Sequence, residues 1–201
     1  HMNCRIPNAR FFDIDSVCDT NSNFPHTIPD TNQFEKSMNK LGLKNTDHIV
    51  IYSKDGIGTS PRVWGLLKTF GHQKISILNG GFKARIDIGG QSETGQYENI
   101  TTNCYKANYN NNFFCNTEDV KVSMKNNNSQ IIDARSQGRF KGIEPEPRKN
   151  LKSGHIPGSK NLPYQFFLNE KGFLLTSSGE LSLISIVSIY EILYSISMIT
   201  C

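Results

Sequence analysis

Apolar positions along this chain recur at two spacings, one helical and one of short continuous runs. From Gln33 to Leu43, Phe34, Met38 and Leu41 fall on one helical face and Gly42 suits the stop, which predicts an amphipathic helix. His48-Ile49-Val50-Ile51-Tyr52 is an unbroken β-rich run of the kind that forms a buried parallel strand. Pro61 to Phe70 returns to helical spacing, with Trp64, Leu67 and Phe70 on one side as core residues. Lys74 to Leu78 is a second short strand, ended by Asn79-Gly80-Gly81. Strands alternating with helices predict a parallel α/β sheet.

The pattern breaks between Gly89 and Asn128, where glycine, asparagine and polar residues dominate and Asn110-Asn111-Asn112 and Asn126-Asn127-Asn128 stand as runs. Gly90 to about Phe114 reads as an inter-domain linker with an extended piece around Tyr105 to Asn108. Thr117-Glu118-Asp119-Val120 can open a short helix, through a capping hydroxyl and early carboxylates. The apolar pair Ile131-Ile132 then runs into Asp133 and Arg135, as a short buried strand leaving a sheet would. The following loop carries Arg139 and Arg148 around Glu144-Pro145-Glu146-Pro147. That run cannot be helical, because each proline pushes its predecessor into an extended conformation. Guanidinium groups fixed on so stiff a loop suit a small anion with a planar carboxylate or a tetrahedral sulfonate-like group. The other reading pairs both arginines with Glu144 and Glu146 on the surface.

Composition narrows the function classes. The 201 residues fit one or two domains; hydrophobic content is 36%, and the net charge of +4 is not gathered into a basic tract. That field favours small anions over nucleic acid. The five cysteines, Cys4, Cys18, Cys104, Cys115 and Cys201, match no metal or disulfide framework and read as free thiols of a reducing, cytoplasmic compartment. The apolar stretch Leu181 to Cys201 carries Glu191 and several serines, so a buried helix and strand is expected rather than a membrane span. The small-residue loop from Ser53 to Ser60 has the strand-loop-helix order that aims N–H groups at an anion, but no Gly-Lys-Ser/Thr ending follows, which argues against nucleotide.

Four elements in order, Asp133-x-Arg135, Gly138-Arg139-Phe140, Glu146-Pro147-Arg148 and Gly154-His155-Ile156-Pro157-Gly158, resemble the C-terminal domain of two-domain sulfurtransferases, the rhodanese and 3-mercaptopyruvate sulfurtransferase family. Arg5-Ile6-Pro7-Asn8-Ala9-Arg10-Phe11-Phe12-Asp13-Ile14-Asp15 resembles an N-terminal segment of the same family, with Arg5 and Asn8 standing where the family has His and Gly. Tyr164 to Leu168 and Lys171-Gly172-Phe173 resemble a further family segment. The halves are weakly self-similar, each with an Ile-Pro segment and an apolar strand leading to a loop, as a duplicated domain leaves behind.

The resemblance implies an α/β protein of two rhodanese-like domains, each a parallel β-sheet flanked by α-helices. Residues 3–90 would be a non-catalytic N-terminal domain without its first strand, 91–115 a linker, and 116–201 the catalytic half, with the chain cut at both ends. Asp55 stands where the catalytic half carries its cysteine, and a carboxylate cannot accept sulfane sulfur. Cys201 aligns with the nucleophile; the alternative is an inert terminal thiol. Asp15 and His26 would sit together near the active site, or His26 would merely cap a loop beside Pro25 and Pro29. Arg139 and Arg148 would hold the donor, Arg148 marking the mercaptopyruvate branch. His155 reads as a turn residue bonding backbone.

The implied activity is transfer of sulfane sulfur from 3-mercaptopyruvate to a thiol or cyanide through a cysteine persulfide. The alternatives are a thiosulfate sulfurtransferase and a catalytically dead binding module. A phosphatase-like use of the fold would need Cys-x5-Arg, a spacing this sequence lacks. No cofactor, metal, nucleic acid or membrane partner is expected; a thioredoxin-like reductant is an expected acceptor.

Overall fold

The computed structural model describes residues 4–22, 24, 26–95, 103–126, 129–147 and 151–175. Helix α1, Thr31–Lys40, starts two residues before the expected Gln33 because Asp30 caps it, its side chain accepting from the Gln33 amide at 2.8 Å. Strand β1, Ile49–Ile51, and strand β2, Ile75–Ile77, pair in parallel with Ile49 opposite Ile75. A parallel pair needs a crossover, here helix α2, Ser60–Thr69, which begins one residue before Pro61. Proline is tolerated there because first-turn amides have no helical partner. Helix α3, Gly81–Asp87, follows β2 after Gly80, whose φ of 82° only glycine adopts without cost.

In the second half, helix α4, Thr117–Lys125, is capped by Asn116 rather than by the expected Thr117 hydroxyl. Asn116 accepts from the Asp119 amide while the Asp119 carboxylate accepts from the Asn116 amide, a reciprocal capping box. Strand β3, Ile132–Asp133, pairs in parallel with β4, Lys160–Asn161. Between them lies the single-turn helix α5, Gln137–Phe140, started by the Ser136 side chain. No helix among the described residues is long and apolar enough to cross a membrane; the Leu181 to Cys201 stretch lies outside them.

The apolar core belongs mainly to the first half. Phe34 and Phe70 stack with centroids 4.0 Å apart, Tyr105 meets Phe34 edge-on, and Met38, Leu66 and Leu67 close around them. Each such side chain contributes about 1.5–3 kcal/mol on burial. Tyr105, within the stretch expected as a linker, is bound into this core. The asparagines explain why. Asn39 and Asn45 accept from the Tyr105 and Lys106 amides, and Glu35 accepts from the Ala107 amide. A polar, extended backbone is satisfied by side-chain amides in place of a sheet partner.

The Ile-Pro segments of the two halves share a backbone feature. Asn8 and Gly158, each directly after the proline, have φ of 64° and 79°. Asparagine is among the few residues other than glycine that enter the left-handed region. The replacement of glycine at position 8 therefore keeps the turn.

Candidate functional site

A cleft of about 780 Å³ lies where the two halves meet, lined from the first half by His26, Asp55 and Arg62 and from the second by Arg135, Arg139 and Lys171. Its floor is built from backbone. The Ser53–Thr59 loop turns twice through Gly56 and Gly58, both at positive φ. Ser53 Oγ donates to the Ile57 carbonyl and lies 2.7 Å from Ser60 Oγ, tying the loop to the start of α2. Against it sits the 169–174 turn of the second half. A Cβ at Gly56 would come within 2.9 Å of the Gly172 carbonyl oxygen, so only a glycine permits that approach. Asn79 fastens the seam by accepting from the Leu174 amide and donating to its carbonyl.

Arg62, Arg135, Arg139 and Lys171 line the cleft with the carboxylates of Asp55 and Glu170. Asp133 and Glu146, paired with Arg135 and Arg139, bring the formal charge level, so any pull on a small anion comes from guanidinium donors left unspent and not from net charge. Asp15 and His26, eleven positions apart, are in contact, His26 Nε2 lying 2.5 Å from Asp15 Oδ1. A carboxylate can only accept, so it holds the hydrogen on Nε2 and fixes the tautomer. His26 also stands at a φ of 61°, rare for a residue with a side chain. His26 lines the cleft and Asp15 reaches it from the exposed side.

The second half contributes an ionic lattice at the end of β3. Arg135 donates from Nε and Nη2 to the Asp133 carboxylate, from Nη1 to Glu146 Oε1 at 2.8 Å, and from Nη2 to the Gly154 carbonyl at 2.6 Å. Arg139 donates from Nε at 3.1 Å and Nη2 at 2.5 Å to the other Glu146 oxygen. The Glu146 side chain is 3% exposed, Arg135 10% and Arg139 22%. Hydrogen bonds from Arg139, then the charges of both arginines, hold the Glu146 carboxyl below the ordinary carboxylate range despite burial. Burial pushes Asp133 up, but the bonds and charge of Arg135 outweigh it and leave its value lowered. Bonding to Asp133 raises Arg135 further.

The surface-pairing alternative for Arg139 is therefore half right: the partner is Glu146, but its side chain is buried and Arg139 is half-buried. Glu144 is engaged elsewhere, accepting from Ser136 Oγ at 2.5 Å at the start of α5. The sequence offers Glu146 only as a surface partner and gives Arg135 no role beyond its place in the Asp133-x-Arg135 motif, although the alternation Glu144-Pro145-Glu146-Pro147 holds the signal. In an extended run, alternate side chains point the same way, and both carboxylates turn to α5. His155 bonds backbone as expected, its Nδ1 lying 2.8 Å from the Phe140 carbonyl, and it also stacks on the Phe140 ring at 3.8 Å. Arg148 and Cys201 lie outside the described residues. The described cysteines, Cys4, Cys18, Cys104 and Cys115, are free and none lines the cleft. A larger depression of about 880 Å³ runs along β1 past Cys4, Phe11 and Tyr52, but it includes neither His26 nor Arg139. The smaller cleft is the one that gathers His26, Arg135 and Arg139.

The sequence pattern of the rhodanese-like domain matches residues 1–86. The chain is 36% identical over 169 residues to human 3-mercaptopyruvate sulfurtransferase, covering 83% of this chain and 57% of the relative. It is 37% identical over 171 residues to the thiosulfate sulfurtransferase of Cricetulus griseus, covering 84% and 57%. The chain thus spans 57% of the length of these curated relatives. Among solved structures it is similar to Escherichia coli SseA, described as a 3-mercaptopyruvate sulfotransferase of the rhodanese fold, with a TM-score of 0.78, 32% identity and coverage of 94% and 67%. It is similar also to the Tum1 protein of Saccharomyces cerevisiae, with a TM-score of 0.80, 29% identity and coverage of 96% and 66%.

Proposed function

Because this chain belongs to the rhodanese family of sulfurtransferases and has its α/β fold, we propose that it moves sulfane sulfur from 3-mercaptopyruvate to a thiol or cyanide acceptor. The observation that carries the reading is Arg139. Arg139 lines the cleft while its Nε and Nη2 are committed to Glu146, so among the described residues its Nη1 donors remain unspent and are available to a ligand. A carboxylate bound there places the rest of a three-carbon donor in the cleft, and Arg148 supplies the second fork. Positioning of this kind lowers the barrier by removing motions the reactants would otherwise have to lose.

In the proposed reaction the Cys201 thiolate attacks the donor's sulfur. The S–S bond forms, the carbon–sulfur bond breaks with its electron pair leaving on carbon, and that carbanion takes a proton to give pyruvate. An acceptor thiolate then attacks the outer sulfur of the persulfide and releases the Cys201 thiolate. Neither step needs an external oxidant. A neighbouring N–H array or helix N-terminus lowers a thiol's pKa and supplies the thiolate. His26, held by Asp15, is the proton carrier of this scheme. The acceptors include a thioredoxin-like reductant, and the compartment is the reducing cytoplasm.

The match to thiosulfate sulfurtransferases at 37% identity favours a second reading, with thiosulfate as donor at the same site. Incubation of the chain with 3-mercaptopyruvate and a thiol tests the first. The expected result is pyruvate, together with the mass of one sulfur atom gained on the Cys201 peptide and lost in Cys201→Ser. Label from thiosulfate alone supports the second reading. Label from neither donor contradicts both and leaves a binding module.

A further inference from the structure

Glu146 is the one described side chain that holds both cleft arginines of the second half. Each of its oxygens takes one guanidinium: Oε1 accepts from Arg135 and Oε2 from Arg139. Arg135 is itself immobilised, bonded to Asp133 and to the Gly154 carbonyl. It therefore fixes Glu146, and Glu146 fixes Arg139. The grip on Arg139 is side-on, through Nε and Nη2 to a single oxygen, which sets the plane of the guanidinium and not just its location. The carrier is stiff as well, because Pro145 and Pro147 flank Glu146 and hold the run extended. A free arginine head rotates through many orientations; this one presents its remaining edge in one plane.

We propose that Glu146 is a positioning residue that makes the cleft selective for planar carboxylates over tetrahedral anions, by fixing the plane in which Arg139 meets its ligand. The inference rests on the anion-site reading of Arg139 above. It runs against the simple Coulomb expectation. A buried carboxylate beside an anion site weakens anion binding, so removing its charge should strengthen every anion, a dianion more than a monoanion, and weaken none. If orientation matters more, neutralising Glu146 loosens Arg139 and costs a planar ligand its aligned pair of hydrogen bonds. A tetrahedral dianion, which needs charge nearby more than a set plane, keeps its affinity or gains.

The test uses the full 201-residue chain, with pyruvate and thiosulfate as probes in calorimetric titrations of wild type, Glu146→Gln, Glu146→Asp and Arg139→Gln. For Glu146→Gln the expected result is pyruvate binding weakened about tenfold, the scale of one charge-assisted hydrogen bond, with thiosulfate unchanged or tighter. Where Glu146→Gln fails to fold, Glu146→Asp decides. It keeps the charge but is one methylene too short to hold both arginines, and the preference for pyruvate over thiosulfate falls there too. Tighter binding of both anions in Glu146→Gln, or an unchanged preference in both Glu146 variants, overturns the proposal. Arg139→Gln separates this failure from that of the underlying reading. If it abolishes pyruvate binding while the Glu146 variants match wild type, the anion site stands and the positioning role falls. If wild type binds neither probe, or Arg139→Gln changes nothing, both fall.

Discussion

In the first half His72 and Tyr105 share a 3.0 Å hydrogen bond beneath the Phe34–Phe70 stack; in the second, Asp133, Arg135, Glu146 and Arg139 share a chain of charged ones. Both clusters are buried and polar, yet they end differently. His72 Nε2 lies 3.0 Å from the Asp47 carbonyl, which can only accept, so the ring carries its hydrogen there and Nδ1 accepts from the Tyr105 hydroxyl. Both ring nitrogens are satisfied and the ring is neutral: burial lowers the His72 pKa and pushes Tyr105 up to about 12. That cluster closes on itself and locks the 103–110 segment to the core. The ionic lattice closes around Arg135 but stops at Arg139, one edge of which faces the cleft. Burial of a polar group therefore does not mark function. What sets Arg139 apart is that its Nη1 donors are unspent beside a cleft, the feature on which the proposed anion site rests.

The sharpest test of the contrast is on its apolar side. Phe34→Ala should cost about 3–5 kcal/mol in urea unfolding, because the stack cannot collapse into the space. A loss near 1 kcal/mol would mean that the first half is not held by its aromatic core. Arg135→Ala takes the guanidinium from buried Asp133 and leaves Glu146 with Arg139 alone, and should cost about 3 kcal/mol by the same measurement. A small loss there would mean that the lattice is solvated and the contrast false. Tyr105→Phe removes one neutral hydrogen bond and should cost only about 1 kcal/mol. Asn8→Gly should change stability by a few tenths of a kcal/mol at most, since the backbone at φ 64° already suits glycine.

Acid separates the clusters. Asp133 and Glu146 have lowered folded values, so their contribution is complete above the unfolded range near pH 4 and is lost as pH falls through those folded values. His72, also lowered, is protonated more readily when unfolded. Its contribution is complete above about pH 6.5 and erodes as pH falls below that. The urea midpoint followed with pH should therefore fall in two windows. Removing the upper one with His72→Gln and the lower one with Glu146→Gln assigns each cluster its share, and a single window would merge what the structure separates.

Local periodicity made the first half legible. Helices α1 and α2 and strands β1 and β2 lie within three residues of where Phe34, Trp64 and the isoleucine runs place them. The 103–114 segment was not legible as part of the core, because what holds it is a set of irregular bonds to distant positions, the side-chain amides of Asn39 and Asn45, the His72 ring and the Phe70 carbonyl among them. Such pairings leave no periodic trace. In the cleft, Arg139 and the Asp15–His26 contact could be read from motifs. The burial of Glu146 could not, since an acidic residue between prolines reads as solvated until a partner arginine is brought to it by a turn such as α5.

The measurement that tests the central claim most directly is the ¹H–¹⁵N footprint of pyruvate on the wild-type chain. The account predicts shifts at the Arg139 side chain and along the facing Ser53–Thr59 loop, with His72 and Tyr105 unmoved. Pyruvate binding that leaves Arg139 untouched, or that shifts the depression along β1 instead, would contradict it.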